Sequence, residues 1–588
     1  MGKIILTSQR PACTDYSAPI CDSDCCNVAD APKSTVENRA RQDKGTINVD
    51  TASRVDDSED IKELLIIGAG PHALSLLLRL LEPDADLLSD KDRHIQAEFR
   101  SRMRPVSDVY SHLKNLTRGP RATLKRRGKS SASTGDPPPL SLEGIRKSVL
   151  VVDSNGEWLS GWKQNFEALG IKRLRSLMNA HADPYDHRSL EYYAELKGRE
   201  EELVTLTTLC QRDNEFRGPY QAPSTALFHD FHDLLARAYG IQDMVQKGKV
   251  KSINPVQSEG QSDGPIFEVT IDFGPESKLP PKIVKTRRIV CGMGPIFHAA
   301  EAFWEATLKK ELVGKEYPSD RILHPSEIIP YLKDRNGQPQ HYGRLPLRRL
   351  LIVGGGITSA QLAILAANAP WCQAVKIIQR SRSVSRHFDV ENKWMGARRG
   401  QLLDNFWALD TAKRAQLLQE ARLGGSIPPE TLKELRDCQN QPNIDLEVQE
   451  EVQISQVHWN GDQFQVSLDD GSDSEEYDMI WLATGSENHL DFYSALSHLR
   501  KVLPVDTVNG LPVLNKHLSW RCPVDKEANE PHWKKEARKR FWCMGSLAGL
   551  ELGPDALNLI GARHGAVRVA KDIRYDMMDL KEKPMSYA

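Results

Sequence analysis

Residues 64–73 read Leu64-Leu-Ile-Ile-Gly-Ala-Gly-Pro-His-Ala73. Four apolar residues that favour β structure lead into the pattern Gly68-x-Gly70-x-x-Ala73, and an apolar helix is predicted over residues 75–81. Gly68 permits a tight turn, Gly70 lets a pyrophosphate approach the backbone, and the small Ala73 lets the helix close on the strand. The N–H groups at the start of the helix then face the phosphate. The stretch therefore predicts a dinucleotide-binding unit.

A second copy of this pattern lies far along the chain, in Leu350-Leu-Ile-Val-Gly-Gly-Gly-Ile-Thr-Ser359. Gly354, Gly356 and Ser359 occupy the three small-residue positions of its turn, and a helix is predicted over residues 359–367. A single glycine turn between a strand and a helix is common, so one copy alone is weak evidence. Two copies in one chain predict two bound nucleotides, with electrons moving between them.

The composition limits the kinds of protein that this chain can be. Its 588 residues are too many for one hydrophobic core and predict two or three domains. The formal net charge of −2 argues against a protein built mainly to bind nucleic acid or an anionic membrane. No apolar run is long enough to span a bilayer, and the amino-terminal residues match neither a secretory signal nor a mitochondrial presequence. We therefore expect a cytoplasmic protein that binds neither nucleic acid nor membrane.

The ten cysteines include no Cys-x-x-Cys pair. This pattern argues against a dithiol-containing disulfide reductase and against a zinc-ribbon site. We expect reduced thiols and no bound metal.

Two segments fall outside the repeated pattern. Residues 1–60 are polar and poor in aromatic side chains, which predicts a disordered tail. Residues 83–147 interrupt the first unit and are basic from residue 100 onwards. The simplest interpretation of this insertion is a surface loop, and the alternative is a loop that binds anions or regulates the protein.

The strand after the insertion, residues 148–153, ends in an acidic residue. In a Rossmann unit the carboxylate at this point accepts hydrogen bonds from ribose hydroxyls, so Asp153 is predicted to bind the adenosine of one cofactor. An ordinary strand-end turn is the alternative for Asp153 taken alone. Two tryptophans, Trp158 and Trp162, follow closely in Gly-x-Trp and Gly-Trp contexts.

The corresponding strand of the second unit, residues 374–379, ends in arginines instead. An acid at this point would repel a 2′-phosphate, whereas Arg380 and Arg382 can pair with one, which predicts NADP rather than NAD. Two surface arginines remain the alternative. Further along, an apolar strand ends at Gly485, another ends at Gly545, and a loop through Gly553 and Pro554 leads to a helix predicted over residues 556–573.

In this order the motifs resemble the flavoproteins that bind two dinucleotides, in which an NADPH domain is inserted into an FAD domain. In particular the chain resembles class B flavin-dependent monooxygenases of the lysine and ornithine N-hydroxylase branch. The resemblance covers roughly residues 62–575. It is carried by the two glycine turns, by Asp153 with Gly156-Glu-Trp158, by Arg380, and by Leu482-Ala-Thr-Gly485.

The resemblance implies an α/β fold with two Rossmann-like domains. It assigns residues 61–345 to the first part of the FAD domain, residues 346–480 to the NADP domain with a helical segment over 402–436, and residues 481–588 to the last part of the FAD domain. It implies cofactor contacts with fifteen residues, namely Gly68, Gly70, Ala73, Asp153, Trp158, Trp162, Gly354, Gly356, Ser359, Arg380, Arg382, Gly485, Gly545, Gly553 and Pro554.

The implied reaction uses FAD, NADPH, O2 and a small-molecule substrate. NADPH would reduce the flavin, and a C4a-hydroperoxyflavin would transfer oxygen to a nucleophilic nitrogen or sulfur. Because the cofactors supply this chemistry, no catalytic side chain is assigned. His387, Asp389 and Asn392 are expected either near the nicotinamide or in packing and surface positions.

The chain also departs from the family pattern. The Phe-x-Gly-x-x-x-His fingerprint is met only in part by residues 292–298, where Gly292 stands at the Phe position, and the lysine and asparagine that hold ornithine have no match. The substrate therefore does not transfer. Two other functions stay open, an FAD-containing NADPH oxidase or reductase and a non-catalytic regulatory protein with the flavin fold.

Overall fold

The computed structural model describes residues 61–82, 105–120, 123, 138–206, 221–257, 264–274, 280–295, 303–313, 318, 320–332, 347–395, 399–422, 425–485 and 488–579. The predicted disordered tail, residues 1–60, lies outside these residues, as does most of the basic insertion.

The elements of the first half of the chain are, in order, β1 (Leu64–Ile67), α1 (Pro71–Leu81), α2 (Val106–Thr117), α3 (Leu142–Ser148), β2 (Val149–Asp153), α4 (Ser160–Ala168), α5 (Ser189–Lys197), β3 (Leu203–Thr205), β4 (Gln221–Pro223), α6 (Thr225–Ala238), β5 (Val245–Lys247), β6 (Lys249–Val256), β7 (Ile266–Asp272), β8 (Lys282–Thr286), β9 (Ile289–Cys291), α7 (Phe303–Glu311), β10 (Ile322–Leu323) and α8 (Pro325–Leu332).

The elements of the second half are β11 (Leu347–Val353), α9 (Ile357–Ala367), β12 (Cys372–Gln379), β13 (Val384–Ser385), α10 (Arg399–Ala408), α11 (Thr411–Ala421), β14 (Ser426–Ile427), α12 (Pro429–Gln439), β15 (Asp445–Glu450), β16 (Ile454–Trp459), β17 (Phe464–Leu468), β18 (Glu475–Tyr477), β19 (Met479–Leu482), α13 (Ser497–Val502), β20 (Thr507–Val508), β21 (Leu511–Pro512), α14 (His532–Lys539), β22 (Phe541–Cys543), α15 (Gly549–Leu552) and α16 (Leu559–Asp579).

The first sheet has five strands in the order β22-β9-β1-β2-β5, and all of its pairings are parallel. Strand β1 lies at its centre, and all four of its residues are buried. A parallel sheet is covered on both faces, which is why this strand is apolar at every position instead of at alternate ones.

The second sheet repeats this plan in the order β10-β19-β11-β12-β15, again with parallel pairings. Each sheet places the strand before its glycine turn at the centre. Each also has a three-stranded antiparallel meander just before the strand that pairs with its central strand: β6-β7-β8 precedes β9, and β16-β17-β18 precedes β19. The predicted α/β fold class is therefore confirmed.

The chain builds most of the first sheet, then the second, and returns to the first through β22. Strand β10 joins the second sheet although it precedes residue 346, where the NADP domain is predicted to begin. The exact domain boundaries stay a prediction.

Several predicted element boundaries need correction. Helix α1 begins at Pro71 instead of residue 75, because proline is accepted in the first turn of a helix. The predicted helical segment 402–436 consists of separate helices. Asp410 caps α11 by accepting a hydrogen bond from the Lys413 N–H at 2.8 Å, and Pro429 begins α12.

The surface-loop interpretation of the insertion is wrong for residues 106–117. They form α2, which packs against α5 and α6 and buries Val109, His112, Leu113 and Leu116. These four residues follow the spacing of one helical face, a signal that the polar composition of the segment concealed. His112 Nε2 lies 2.9 Å from Asp183 Oδ2, and both side chains are buried, so a polar pair also ties the insertion to the core.

None of the described helices is long and apolar enough to cross a membrane. The cytoplasmic location expected from the sequence stays a prediction.

Candidate functional site

The main cavity has a volume of about 760 Å³ and lies at the carboxyl ends of the strands of the first sheet. Its lining includes the first glycine turn, the end of β2, the residues after β9 and the loop after β22. Ile357 and Thr358, the first two residues of α9, reach the same cavity from the second glycine turn. Ligands of parallel α/β folds bind at this edge of the sheet. One cavity thus contacts elements of both predicted nucleotide units.

The first glycine turn has the geometry that its sequence predicts. Gly68 has φ of +100°, and a Cβ there would lie 2.7 Å from the Gly292 carbonyl oxygen at the end of β9. Gly70 precedes α1, and apart from its chain neighbours no atom of the described residues lies within 4 Å of the point where its Cβ would be. Ala73 is fully buried and packs near Gly292. The turn therefore leaves open space in front of backbone N–H groups, as phosphate binding requires.

Asp153 lies at the end of β2 and lines the cavity. Its Oδ2 accepts a hydrogen bond from the Ala69 N–H at 3.0 Å, and its Oδ1 accepts one from the Asn155 N–H at 2.8 Å. These bonds fix the carboxylate against the glycine turn. An ionised carboxylate has about four lone-pair sites, so acceptor capacity is left for ribose hydroxyls.

The two tryptophans differ in position. Trp162 lines the cavity, and its ring packs 4.2 Å from the Phe166 ring, centroid to centroid. Trp158 is only 9% exposed, is outside the cavity lining, and donates its indole N–H to the Ile241 carbonyl at 2.8 Å. Its geometry is that of a core residue and gives no support to the predicted cofactor contact.

In the loop after β22, too, some of the predicted residues line the cavity and others do not. Gly545 lines the cavity with φ of +70°, and Ser546 and residues 557–559 line it as well. Gly553 and Pro554 are not part of the lining, and a Cβ on Gly553 would lie 2.8 Å from the Leu403 side chain of α10. Gly553 thus packs against α10, and the predicted cofactor contacts of Gly553 and Pro554 stay a prediction.

The second glycine turn also packs against a neighbouring strand. Gly354 has φ of +148°, and a Cβ there would collide with the Ala483 carbonyl group after β19. Gly356 precedes α9, and the position of its Cβ lies 3.6 Å from the Gly425 Cα. Ser359 is buried and donates its hydroxyl to the Gly356 carbonyl at 2.7 Å. None of these three residues lines the main cavity. The residues of this segment that line it are Ile357 and Thr358, directly after Gly356.

Arg380 and Arg382 are exposed beyond the end of β12 and do not line the main cavity. Arg382 Nε lies 3.1 Å from Glu451 Oε2, an ion pair in which both side chains are more than half exposed. Gly485 follows β19 with φ of +95° and is likewise outside the lining. The predicted NADP-binding role of these residues stays a prediction.

Arg175 is a residue whose position the sequence did not reveal. Its guanidinium donates to the carbonyl groups of Arg386, His387 and Ser426 at 3.1–3.2 Å, and to the Ser426 hydroxyl at 2.8 Å. Burial lowers the pKa of Arg175, and the nearby Asp389 and Glu430 oppose this effect. A cation thus connects the segment after α4 with β13 and β14, and it lines the main cavity.

A smaller cavity of about 180 Å³ adjoins the main one through Arg175 and Ile357. His387 lines the small cavity, Asp389 lines the main one, and Asn392 lines neither. Asp389 accepts hydrogen bonds from Arg422 at 3.1 Å and from Asn558 at 3.3 Å.

Three polar atoms in the main-cavity lining are buried without a hydrogen-bond partner within the described structure: His72 Nδ1, Ser176 Oγ and Ser546 Oγ. Buried polar groups are normally paired, so these atoms indicate a surface built for a polar ligand. Among the described residues, no group of three His, Cys, Asp or Glu side chains is arranged to hold a metal ion.

Comparison with known proteins supports the fold. No family model matches the sequence, and no curated protein matches it. Solved structures do. The ornithine hydroxylase PvdA from Pseudomonas aeruginosa is 16% identical with a TM-score of 0.54, over 88% of this chain and 100% of that one. The Kutzneria sp. 744 ornithine N-hydroxylase KtzI is 15% identical with a TM-score of 0.55, over 88% of this chain and 100% of that one. Its structure contains reduced FAD, NADP+ and L-ornithine.

The L-lysine 6-monooxygenase from Pseudomonas syringae is 17% identical with a TM-score of 0.51, over 87% of this chain and 99% of that one. The chain has the fold of these enzymes. This is the branch that the sequence motifs resemble, and the likeness extends over almost the whole length of each neighbour.

Proposed function

We propose that the protein is an FAD-dependent, NADPH-using monooxygenase that hydroxylates a nucleophilic nitrogen, or a sulfur, of a small molecule. The observation that carries this proposal is the main cavity, which joins the first glycine turn to the start of the helix after the second one. A monooxygenase of this kind needs its two nucleotides to meet in a single space. The solved structures with this fold include N-hydroxylating enzymes, which favours nitrogen over sulfur.

The residues present fit an FAD molecule. The N–H groups around Gly70 would hold the pyrophosphate, Asp153 would accept the ribose hydroxyls, and Trp162 and Gly545 would contact the rest of the nucleotide. Three further polar atoms of the lining have no partner within the described structure and are available to such a ligand. When bound, reduced FAD supplies the activation of O2.

NADPH would lie at the second glycine turn, with its phosphates near the start of α9. Arg380 would pair with the 2′-phosphate, and Arg175 would place a positive charge beside the phosphates where the two nucleotide units meet. The apolar walls of the cavity would exclude water from the oxygen-transfer step. The side chains would therefore bind, orient and shield the reactants.

The test is turnover of the full-length protein with FAD, NADPH and ¹⁸O2 in the presence of a panel of small amines and thioethers. We expect at least one compound to accelerate NADPH consumption and to gain one ¹⁸O atom. If instead every NADPH yields hydrogen peroxide and no compound gains oxygen, the protein is an oxidase. If NADPH does not reduce the flavin, both enzymatic functions are wrong and a regulatory role is left.

A matched pair of variants ties the activity to the cavity. Asp153→Ala removes the ribose acceptor, and we expect it to weaken FAD retention and turnover together. Asp473→Ala removes an exposed carboxylate in the loop before β18 and should change neither. Equal retention of FAD by the two variants would contradict the proposed position of the adenosine.

A further inference from the structure

His72 is the second residue of α1, and its imidazole lines the main cavity. Its Nε2 lies 3.3 Å from the Leu557 carbonyl oxygen, at the far end of the chain. A carbonyl oxygen only accepts hydrogen bonds, so Nε2 carries the hydrogen in this contact. In the neutral ring the other nitrogen, Nδ1, is then an acceptor.

This acceptor is buried and has no partner within the described structure. The buried imidazole of His232 shows the hydrogen bonding of a purely structural histidine. Its Nδ1 lies 2.7 Å from the Phe228 carbonyl, and its Nε2 accepts the Ala182 N–H at 3.0 Å. His232 has both nitrogens paired, whereas His72 has only one. The unpaired nitrogen of His72 therefore lacks the partner that the fold gives to both nitrogens of His232.

Burial lowers the pKa of His72 to about 4, so the ring is neutral near pH 7 and Nδ1 can only accept. The partner must therefore supply a hydroxyl or an N–H group. A pyrophosphate supplies neither at this pH. Within a dinucleotide, this leaves the sugar hydroxyls and the ring N–H groups.

The position of His72 indicates which half of the dinucleotide it contacts. Its Nδ1 lies 3.9 Å from the point where a Cβ on Gly545 would be, in the loop after β22. The sheet order β22-β9-β1-β2-β5 places this loop on the opposite side of β1 from Asp153. If Asp153 binds the adenosine ribose, His72 faces the other half of the molecule.

We propose that His72 Nδ1 accepts a hydrogen bond from a hydroxyl or ring N–H of the ribityl–flavin half of FAD. This inference rests on the FAD site of the proposed function. In this role His72 is a cofactor-binding residue that orients the flavin half. Its Nδ1 contacts the cofactor and its Nε2 contacts Leu557, so the ring connects the cofactor to the start of α16.

The test uses two substitutions that each keep one nitrogen position. In His72→Asn the side-chain amide reaches the Nδ1 position and keeps an acceptor there. In His72→Gln it reaches the Nε2 position, so the donor to Leu557 is kept and the acceptor is lost. Each full-length variant, freed of bound flavin, is titrated calorimetrically with FAD and with ADP, which has the adenosine and pyrophosphate but no flavin half.

We expect His72→Gln to bind FAD at least about tenfold more weakly than the original protein, because a buried hydrogen bond is lost. Its affinity for ADP should be unchanged, and His72→Asn should bind FAD within about threefold of the original protein. If His72→Gln does not fold, His72→Phe, which keeps an aromatic ring but has neither nitrogen, takes its place for the FAD measurement, and its ADP affinity shows how much the lost contact with Leu557 matters.

The outcomes separate this inference from the function on which it rests. If the original protein binds no FAD, the proposed function itself is wrong. If it binds FAD and His72→Gln binds it equally well, the function stands and the role of His72 is wrong. If both variants lose FAD and ADP affinity in parallel, His72 only holds the turn in shape through Leu557, and the inference is also overturned.

Discussion

Among single residues, the two glycines of the first glycine turn are needed for different reasons. A Cβ on Gly68 would approach the Gly292 carbonyl to 2.7 Å with a backbone φ of +100°, whereas one on Gly70 would meet open space at φ of −77°. We expect Gly68→Ala to lower the free energy of unfolding by about 2–5 kcal/mol, from strain and overpacking together. Urea unfolding followed by circular dichroism measures this loss.

Gly70→Ala is the matched control for that measurement. It should leave the stability almost unchanged but weaken FAD binding, because its methyl group would occupy the space proposed for the pyrophosphate. Equal stability losses in the two variants would show that the contact with Gly292 is not what requires glycine at position 68.

The arginines after β12 give a second prediction at this scale. Arg380 is exposed and available to a 2′-phosphate, whereas Arg382 already pairs with Glu451 at 3.1 Å. We expect Arg380→Ala to raise the KM for NADPH about tenfold, the loss of one charge-assisted hydrogen bond, and to leave the KM for NADH unchanged. Arg382→Ala should have a smaller effect on the KM for NADPH. Parallel changes for NADPH and NADH in Arg380→Ala would refute the role in 2′-phosphate binding.

At the scale of elements, local patterns predicted the two glycine turns and the strands before and after them. The apolar runs at residues 64–67 and 350–353 are dictated by burial on both faces of a parallel sheet, so they are visible in the sequence alone. The sequence did not indicate that Trp158 and Gly553 lie outside the lining of the main cavity. Their neighbours, Ile241 and Leu403, are more than eighty residues away in the chain, and only the folded structure brings them together.

The contact between α10 and the loop after β22 leads to a prediction about stability. Arg399 donates to both carboxylate oxygens of Asp555, at 2.6 and 3.1 Å, and Asp555 is fully buried. Removing one partner of a buried pair leaves an uncompensated charge, so Arg399→Met should lower the free energy of unfolding by about 3–5 kcal/mol.

The control is Lys393→Met, which breaks a partly exposed pair with Glu391 at 2.6 Å. Such pairs contribute about 1 kcal/mol or less. Chemical unfolding of both variants measures the difference. If Arg399→Met loses no more stability than Lys393→Met, the ion pair is not what holds the loop against α10.

Over the molecule as a whole, ion pairs hold the two ends of the described chain together. Arg288, fully buried beside β9, donates to Glu63 at 2.8 Å and to Asp576 at 2.6 Å. Helix α16, the last described helix, also packs along α1, the helix that follows the first glycine turn. No local pattern could predict this closure, because Arg288 lies 225 residues from Glu63 and 288 residues from Asp576 in the chain.

The same compact interior makes stability depend on pH. Burial lowers the pKa of His72 and of His232 to about 4, and it lowers the pKa of His181 well below the ordinary 6.5. The folded protein keeps these rings neutral, while the unfolded chain binds protons as the pH falls through 6.5. Their contribution to stability is therefore complete above pH 6.5 and is lost as the pH falls towards 4. Three partly buried groups act in the opposite direction: His324, whose pKa is raised by its hydrogen bond with Glu305, and Glu551 and Asp572, whose pKa values are raised by burial. Burial also lowers the pKa of the partly buried His229 and His387, which add to the first effect.

We expect the free energy of unfolding to fall between pH 6.5 and 4.5 by up to about 4 kcal/mol per pH unit, since each buried histidine contributes about 1.4. Urea unfolding of the flavin-free protein at half-unit steps of pH measures this slope. His232→Gln removes one of these groups and should reduce the slope by about 1.4 kcal/mol per pH unit, whatever its effect on stability at pH 7. Equal slopes in His232→Gln and the original protein would mean that the His232 ring takes up protons in the folded state, and that the interior around it admits water.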